Sequence, residues 1–329
     1  MLALTVPPAE GEPTEAILRA RIADGSADAT TFWRLASLCG RSGRWGELEN
    51  LCARALELDP GDADALQLLG LAQREKGDLA GAEALFRQAL VQRPGFTAAL
   101  NNLGITLQQA GDLEGARACY AEAIAACDTL VEAHSNLGHC LLRLGRAEEA
   151  RPSLERALAL QPDHADALNN LGDLELERGA NEAAIDLFRR AIACEPDHAL
   201  AHTNLSQALL RSGDYAQGWA EYEWRLIAHQ PLAAPPPPTP VWDGRPLDPH
   251  QTLLLVSEQG LGDTLQFMRY LLPLQRQGIP VRLAAQSKLH GILRASAIDP
   301  NPLHPHQADA FNAGPWLPLL SLPGILGVS

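Results

Sequence analysis

Apolar residues recur along most of this chain with a helical period, and the helical stretches themselves recur. Leu69-Gly70, Leu103-Gly104, Leu137-Gly138 and Leu171-Gly172 follow one another at an unbroken spacing of 34 residues, with Leu35-Ala36 before them and Leu205-Ser206 after. Each period holds two helical patterns separated by a turn glycine: Gly43, Gly77, Gly111, Gly145, Gly179 and Gly213. Most second patterns carry a small residue (Ala82, Ala116, Ala150, Ala184) and another seven positions on (Ala89, Ala123, Ala157, Ala191). A small residue lets two helices approach, and the large one four positions later (Phe86, Tyr120, Leu154, Phe188) fills the gap. Proline then closes the unit at Pro60, Pro94, Pro162 and Pro196, because it cannot continue a helix; Asp128 stands in that place in the third unit. The pattern predicts a stack of two-helix repeats.

Beyond the last repeat the pattern changes. The stretch PLAAPPPPTP is read as an extended, semi-rigid spacer. TLLLVS (Thr252 to Ser257) then reads as a buried strand, Asp263 to Gln277 as an amphipathic helix, and VRLAAQ (Val281 to Gln286) as a second strand. Strand, helix, strand is the start of a parallel α/β sheet. After Ala297 prolines break every long pattern, leaving no clear strand and a half-lobe with exposed apolar edges, marginally stable unless it packs on the repeats or a partner. The resulting division is 1–28, with Glu15 to Ala23 as an incomplete unit or cap; 29–232, six repeats; 233–251, a proline-rich linker; and 252–329, a partial lobe.

Position by position the repeats resemble the tetratricopeptide repeat. The resemblance implies a right-handed α-solenoid superhelix whose first helices line a concave groove, and a default role of binding an extended polypeptide there. Asn102, Asn136, Asn170 and Asn204 recur just before the Leu of the Leu-Gly pair in four consecutive first helices. An amide offers donors and an acceptor, so a ladder of them can bond the backbone of a bound chain without reading its sequence. Such a ladder is characteristic of the repeats of protein O-GlcNAc transferases, which these units resemble. The alternative is that these amides satisfy neighbouring groups of the repeats themselves.

Charge narrows the partner classes. The net charge is −14. Beyond Pro240 six acidic and six basic residues cancel, so the excess lies in the repeats, which argues against nucleic acid or an anionic membrane as partner. Six scattered cysteines without a CxxC pair, no basic leader and no apolar run of about 18 residues point to a soluble, cytoplasmic protein with reduced thiols. The cysteines read as small hydrophobes, His134 and His202 as packing residues, and His164 and His198 as polar turn residues. His304-Pro-His306 lacks zinc-site spacing and companions, so no metal is assigned.

Candidate chemistry concentrates in SEQGLGDTLQFMRY, Ser257 to Tyr270. The third glycine of a dinucleotide fingerprint would fall at Leu265, and no Gly-Lys-Ser/Thr follows, so neither an NAD site nor an NTPase phosphate loop is expected. Repeats ending in GW..YEWR, followed by WDGxPL and EQGLGD, are similar to bacterial repeat-fused glycosyltransferases whose catalytic half resembles the acceptor lobe of heptosyltransferases. That resemblance implies a Rossmann-like lobe with Asp263 as general base and Glu258, Gln259, Gly260 and Gly262 forming a substrate loop. Asp263 also fits a helix N-cap, with Gln266 completing a capping-box-like pair. Only 89 residues follow Pro240, fewer than two lobes of ordinary size need. The lobe that would hold a nucleotide sugar is expected to be missing and the chain inactive alone. The leading expectation is therefore a mainly α scaffold that binds a protein or peptide client and needs no cofactor. The alternative is a nucleotide-sugar-dependent glycosyltransferase completed by a donor lobe from elsewhere.

Overall fold

A computed structural model describes residues 14–228, 236–258 and 260–328. It divides into two compact units, one reaching Asn170 and one running from Leu171 to Ser329.

Helix α1 (Glu15–Ala23) precedes six helix pairs. These are α2 (Ala29–Arg41) with α3 (Trp45–Leu58), α4 (Ala63–Glu75) with α5 (Leu79–Gln92), and α6 (Thr97–Ala110) with α7 (Leu113–Ala126). They continue with α8 (Val131–Arg143) and α9 (Ala147–Leu160), α10 (Ala165–Glu177) and α11 (Asn181–Cys194), and α12 (Ala199–Ser212) and α13 (Tyr215–Tyr222). Aspartates set several starts: the side chains of Asp28, Asp62, Asp78, Asp112 and Asp214 accept N–H groups of the first turn that have no intrahelical partner. Gly111 and Gly213 end α6 and α12 with φ of 91° and 87°, a left-handed conformation that side chains disfavour.

The small-and-large rule read from the repeats is realised in the packing. In the first unit the ring of Tyr120 lies flush on Gly104, where an added Cβ would sit 2.5 Å from Cε1, and Phe86 lies on Gly70 in the same way at 2.7 Å. Ala82, Ala89, Ala116 and Ala123 are fully buried around them. First helices of successive repeats approach one another more closely than second helices do. The first-helix layer of this unit is thus the inner side of its curve.

In the second unit Phe188 covers Gly172 likewise, and the repeat helices lead through α14 (Arg225–Ala228) to a small parallel sheet. Its strands β1 (Leu253–Val256), β2 (Val281–Ala284) and β3 (Trp316–Pro318) lie in the order β2-β1-β3. Leu255 pairs with Leu283 on one side and Leu317 on the other. Between β1 and β2 the expected single helix is broken into α15 (Leu261–Phe267), a 3-10 turn at Met268–Tyr270, and α16 (Leu271–Arg276). Pro273 in the second piece has no N–H to return to the preceding turn, which accounts for the break. After β2 come α17 (His290–Ala295) and, beyond β3, α18 (Leu322–Ile325).

Both faces of this sheet are covered. Leu253, Leu255, Leu283 and Leu317 pack with Phe267, Leu271, Leu274 and Leu293, and on the other face Leu254, Val256 and Trp316 pack with Ala308 and Phe311. The edges expected to be open are closed as well. Val241 bridges to Trp316 and Leu303 to Ala284, each a single residue beside a proline that ends the pairing. Trp242, inside the stretch read as a spacer, is buried in this core. Strand β3 escaped the sequence reading because it is three residues long and ends in Pro318.

Candidate functional site

The first-helix layer of the first unit carries a lattice of half-buried polar side chains. Asn102, on α6, donates from Nδ2 to the Ala98 carbonyl at 2.9 Å, and its Oδ1 accepts from Arg74 Nη1 on α4 at 3.2 Å. Asn136, on α8, donates from Nδ2 to Oδ1 of Asn101 at 3.0 Å. Gln108 Nε2 donates to His139 Nδ1 at 3.2 Å, which fixes that ring's proton on Nε2. These bonds run from α4 to α6 and from α6 to α8, so three successive repeats are tied together on their inner face. Asn170 is half-buried on α10 in the same unit, and Asn204 is half-buried on α12 in the second unit.

Burial shifts several ionisable groups of the first helices. Burial pulls the Arg74 guanidinium below its usual range. Burial, reinforced by the charge of Arg143, lowers His139 and keeps it neutral. On α10, in the second unit, burial and the neighbouring Glu177 raise Asp173. Each of these side chains stays in partial contact with solvent, so protein surrounds them without sealing them. At such half-buried positions a charge or hydrogen bond from a ligand is screened less than in open water.

The other sequence-designated residues lie in the second unit around the end of β1. Glu258 is nearly enclosed: Arg225 donates to it from Nε at 3.1 Å and from Nη2 at 2.9 Å and 3.0 Å, and the Leu320 N–H donates at 3.1 Å. Arg225 also reaches Glu223 at 2.9 Å and Ser321 at 2.9 Å. Burial pushes the Glu258 carboxyl up against the pull of Arg225. Burial pulls Arg225 the other way, but the charges of Glu258 and Glu223 outweigh it and hold the guanidinium up. The GW..YEWR segment and the glycine loop are thus joined through their charged residues.

Asp263 is not the N-cap. Gly260 takes that place, and Asp263 lies half-buried in the first turn, its carboxylate folded back beside the Gly260 Cα. The helix begins earlier than the sequence suggests because Gly260 is already extended and Leu261 helical. Gly262 is exposed, and Gln259 lies outside the described residues. The buried polar group beneath the loop is Thr264, whose hydroxyl pairs with Ser257 Oγ at 2.6 Å and Gln286 Oε1 at 3.2 Å.

Sequence reading passed over Arg74, Asn101, Gln108 and His139 because no one residue type recurs at their positions as Asn does at 102; Arg74 and Gln108 share a repeat position but differ in kind, and Asn101 had a signal in the doubled Asn-Asn pairs at 101–102 and 169–170. His134 and His202 pack as expected: His134 donates to the Asp128 carbonyl and His202 to the Pro196 carbonyl, each at 2.9 Å, so Asp128 accepts the same bond as Pro196 two repeats on. His202 also stacks on Trp224 at 3.9 Å. His164 and His198 cap α10 and α12 by accepting from Ala167 and Ala201.

Helical hairpins stacked with small-to-large packing define an α-solenoid repeat protein. The tetratricopeptide-repeat family model matches residues 35–95, 68–131, 101–153 and 135–199, and a second one matches 187–220. The chain belongs to the tetratricopeptide-repeat family. Its solenoid resembles a chain of the APC/C hetero-tetramer Cut9-Hcn1, with 16% identity, TM-score 0.60, and coverage of 65% of this chain and 42% of that one. It is also similar to PilW, titled a type IV pilus biogenesis factor (23% identity, TM-score 0.54, 61% of this chain and 93% of that one). PilF of Pseudomonas aeruginosa shows 20% identity and TM-score 0.54 over 61% of this chain and 91% of that one. At these identities the likeness is one of fold. No curated protein matches the chain in sequence. No helix among the described residues is long and apolar enough to cross a membrane.

Proposed function

We propose that this protein is an interaction scaffold whose repeats, residues 29–232, hold an extended polypeptide along the first-helix face, with Asn102, Asn136, Asn170 and Asn204 as the repeating contacts. The observation that supports this most directly is the half-buried lattice of Arg74, Asn101, Asn102, Asn136, Gln108 and His139. Its amides keep unused capacity: an asparagine side chain offers two donor hydrogens and two lone pairs, and the lattice uses one donor of Asn136 and one lone pair of Asn101 in their shared bond. A main chain laid along the groove can take the rest. Family membership supports the same reading, since stacked repeats expose a long inner surface suited to peptide segments.

The test is site-specific photocrosslinking from position 136 in the full chain, with position 91 on the outer surface as control. A polypeptide that crosslinks from 136 and not from 91, and that is lost when N102A/N170A is added to the chain carrying the crosslinker at 136, supports the reading. Equal crosslinking from both positions, or retention in the N102A/N170A chain, overturns it.

A second reading concerns residues 252–329, which we propose as a glycosyltransferase-like acceptor lobe with Asp263 as base. The parallel sheet, with a glycine loop leaving the C-terminal end of β1, supports it, because open α/β sheets place ligands there. Thermal shift with a panel of nucleotide sugars tests it. A clear shift with a nucleotide sugar in the chain alone favours the transferase, and no shift with any donor leaves the scaffold alone.

A further inference from the structure

A cavity of about 390 Å³ lies in the second unit between α13, the Val241-Trp242 segment and the β3–α18 connection. Its walls are aromatic and aliphatic, with Tyr215, Trp219, Trp242 and Ile325 prominent, and Glu223 is the only charged side chain among the described residues lining it. Three of the large apolar side chains that remain exposed in this unit, Tyr215, Val241 and Ile325, all border this one cavity. Apolar surface held open around a concave space marks a binding site.

The charge at its floor is unbalanced. Arg225 is shared between Glu223 and Glu258, so two carboxylates face one guanidinium and a single negative charge is left over. Of the two, Glu258 is enclosed, whereas Glu223 is 47% exposed and borders the cavity. Glu223 also stands at the C-terminal end of α13, where the partial charge of the helix is negative. The indole N–H of Trp219, a residue of the cavity wall, is buried without a hydrogen-bond partner, so its resonance reports on what fills the space beside it.

We propose that this cavity binds a small organic cation, an ammonium group carried on an apolar or aromatic body. The ammonium meets the Glu223 carboxylate, the body fills the space between Trp219, Trp242 and Ile325, and the aromatic rings add cation–π attraction. This site is separate from the first-helix groove and does not depend on it.

Tryptamine is the probe, with indole as its neutral counterpart and indole-3-acetate as its anionic one, titrated into the full chain by calorimetry. The Trp219 indole N–H resonance, assigned with W219F, is followed by NMR. Tryptamine is expected to bind at least about tenfold more tightly than indole-3-acetate and to shift that resonance. E223Q should narrow the difference to about twofold, and A220F, which fills the cavity from an exposed helix position, should abolish binding while leaving the thermal midpoint in place. Equal binding of the cation and the anion, binding that survives A220F, or no tryptamine binding at millimolar concentration would each overturn the proposal.

Discussion

Arg225 and Glu258 form a bidentate pair with side chains 2% and 6% exposed, and it joins the last repeat's trailing segment to the loop after β1. Removing one member leaves the other charged and enclosed. R225A should therefore lower stability by about 3–5 kcal/mol. R225M/E258Q, which removes both charges yet leaves an acceptor for the Leu320 N–H, should recover at least half of the loss. Urea unfolding of the full chain checks this, and a double variant no more stable than R225A would refute the pairing as the cause.

The glycine-on-ring contacts set a second expectation. A methyl group at position 104 would collide with Tyr120, so G104A should cost about 1–3 kcal/mol by overpacking. Because the added methyl and the ring would occupy the same space, Y120A should cost less in the G104A chain than alone. Thermal denaturation of the three variants decides the matter; additive losses would contradict the proposed contact.

Thiol reactivity should be sharply uneven. Burial raises Cys52 to about 12 and Cys39 to about 11, whereas the Thr129 hydroxyl and backbone N–H lower the exposed-side Cys127. Iodoacetamide at neutral pH, read by peptide mapping, should modify Cys127 well before Cys39 or Cys52. The same shift carries a stability consequence. Because the folded value of Cys52 lies above its ordinary 9.0, its contribution is complete below pH 9 and is lost as pH rises towards 12. The alkaline limb of the stability curve should steepen by up to about 1.4 kcal/mol per pH unit over that window and flatten in C52A.

Asp263 separates a capping role from a chemical one. Since Gly260 holds the N-cap position, D263N removes only a first-turn charge and should cost no more than about 1 kcal/mol. A loss of about 2 kcal/mol in thermal or urea unfolding would restore the capping explanation.

Much of this molecule could be read from its residues. The repeat period, the turn glycines and the Ala-to-aromatic alternation specify helical hairpins because those contacts are local and recur every 34 residues, and the packing of Phe86, Tyr120 and Phe188 on their glycines follows that rule. The recurring asparagines were equally visible, but not their partners: whether Asn102 meets Arg74, or Asn136 meets Asn101, depends on how successive repeats rotate against each other. The small sheet shows the same division. The apolar runs at Leu253 to Val256 and Val281 to Ala284 announced two parallel strands, whereas β3, the proline-bounded edges and the burial of Trp242 rest on contacts between segments far apart in the chain. Local periodicity determined the solenoid and its inner face. Only the tertiary structure decided that Glu258 would be met by Arg225, 33 positions earlier, because a buried charge takes whichever opposite charge the fold brings within reach.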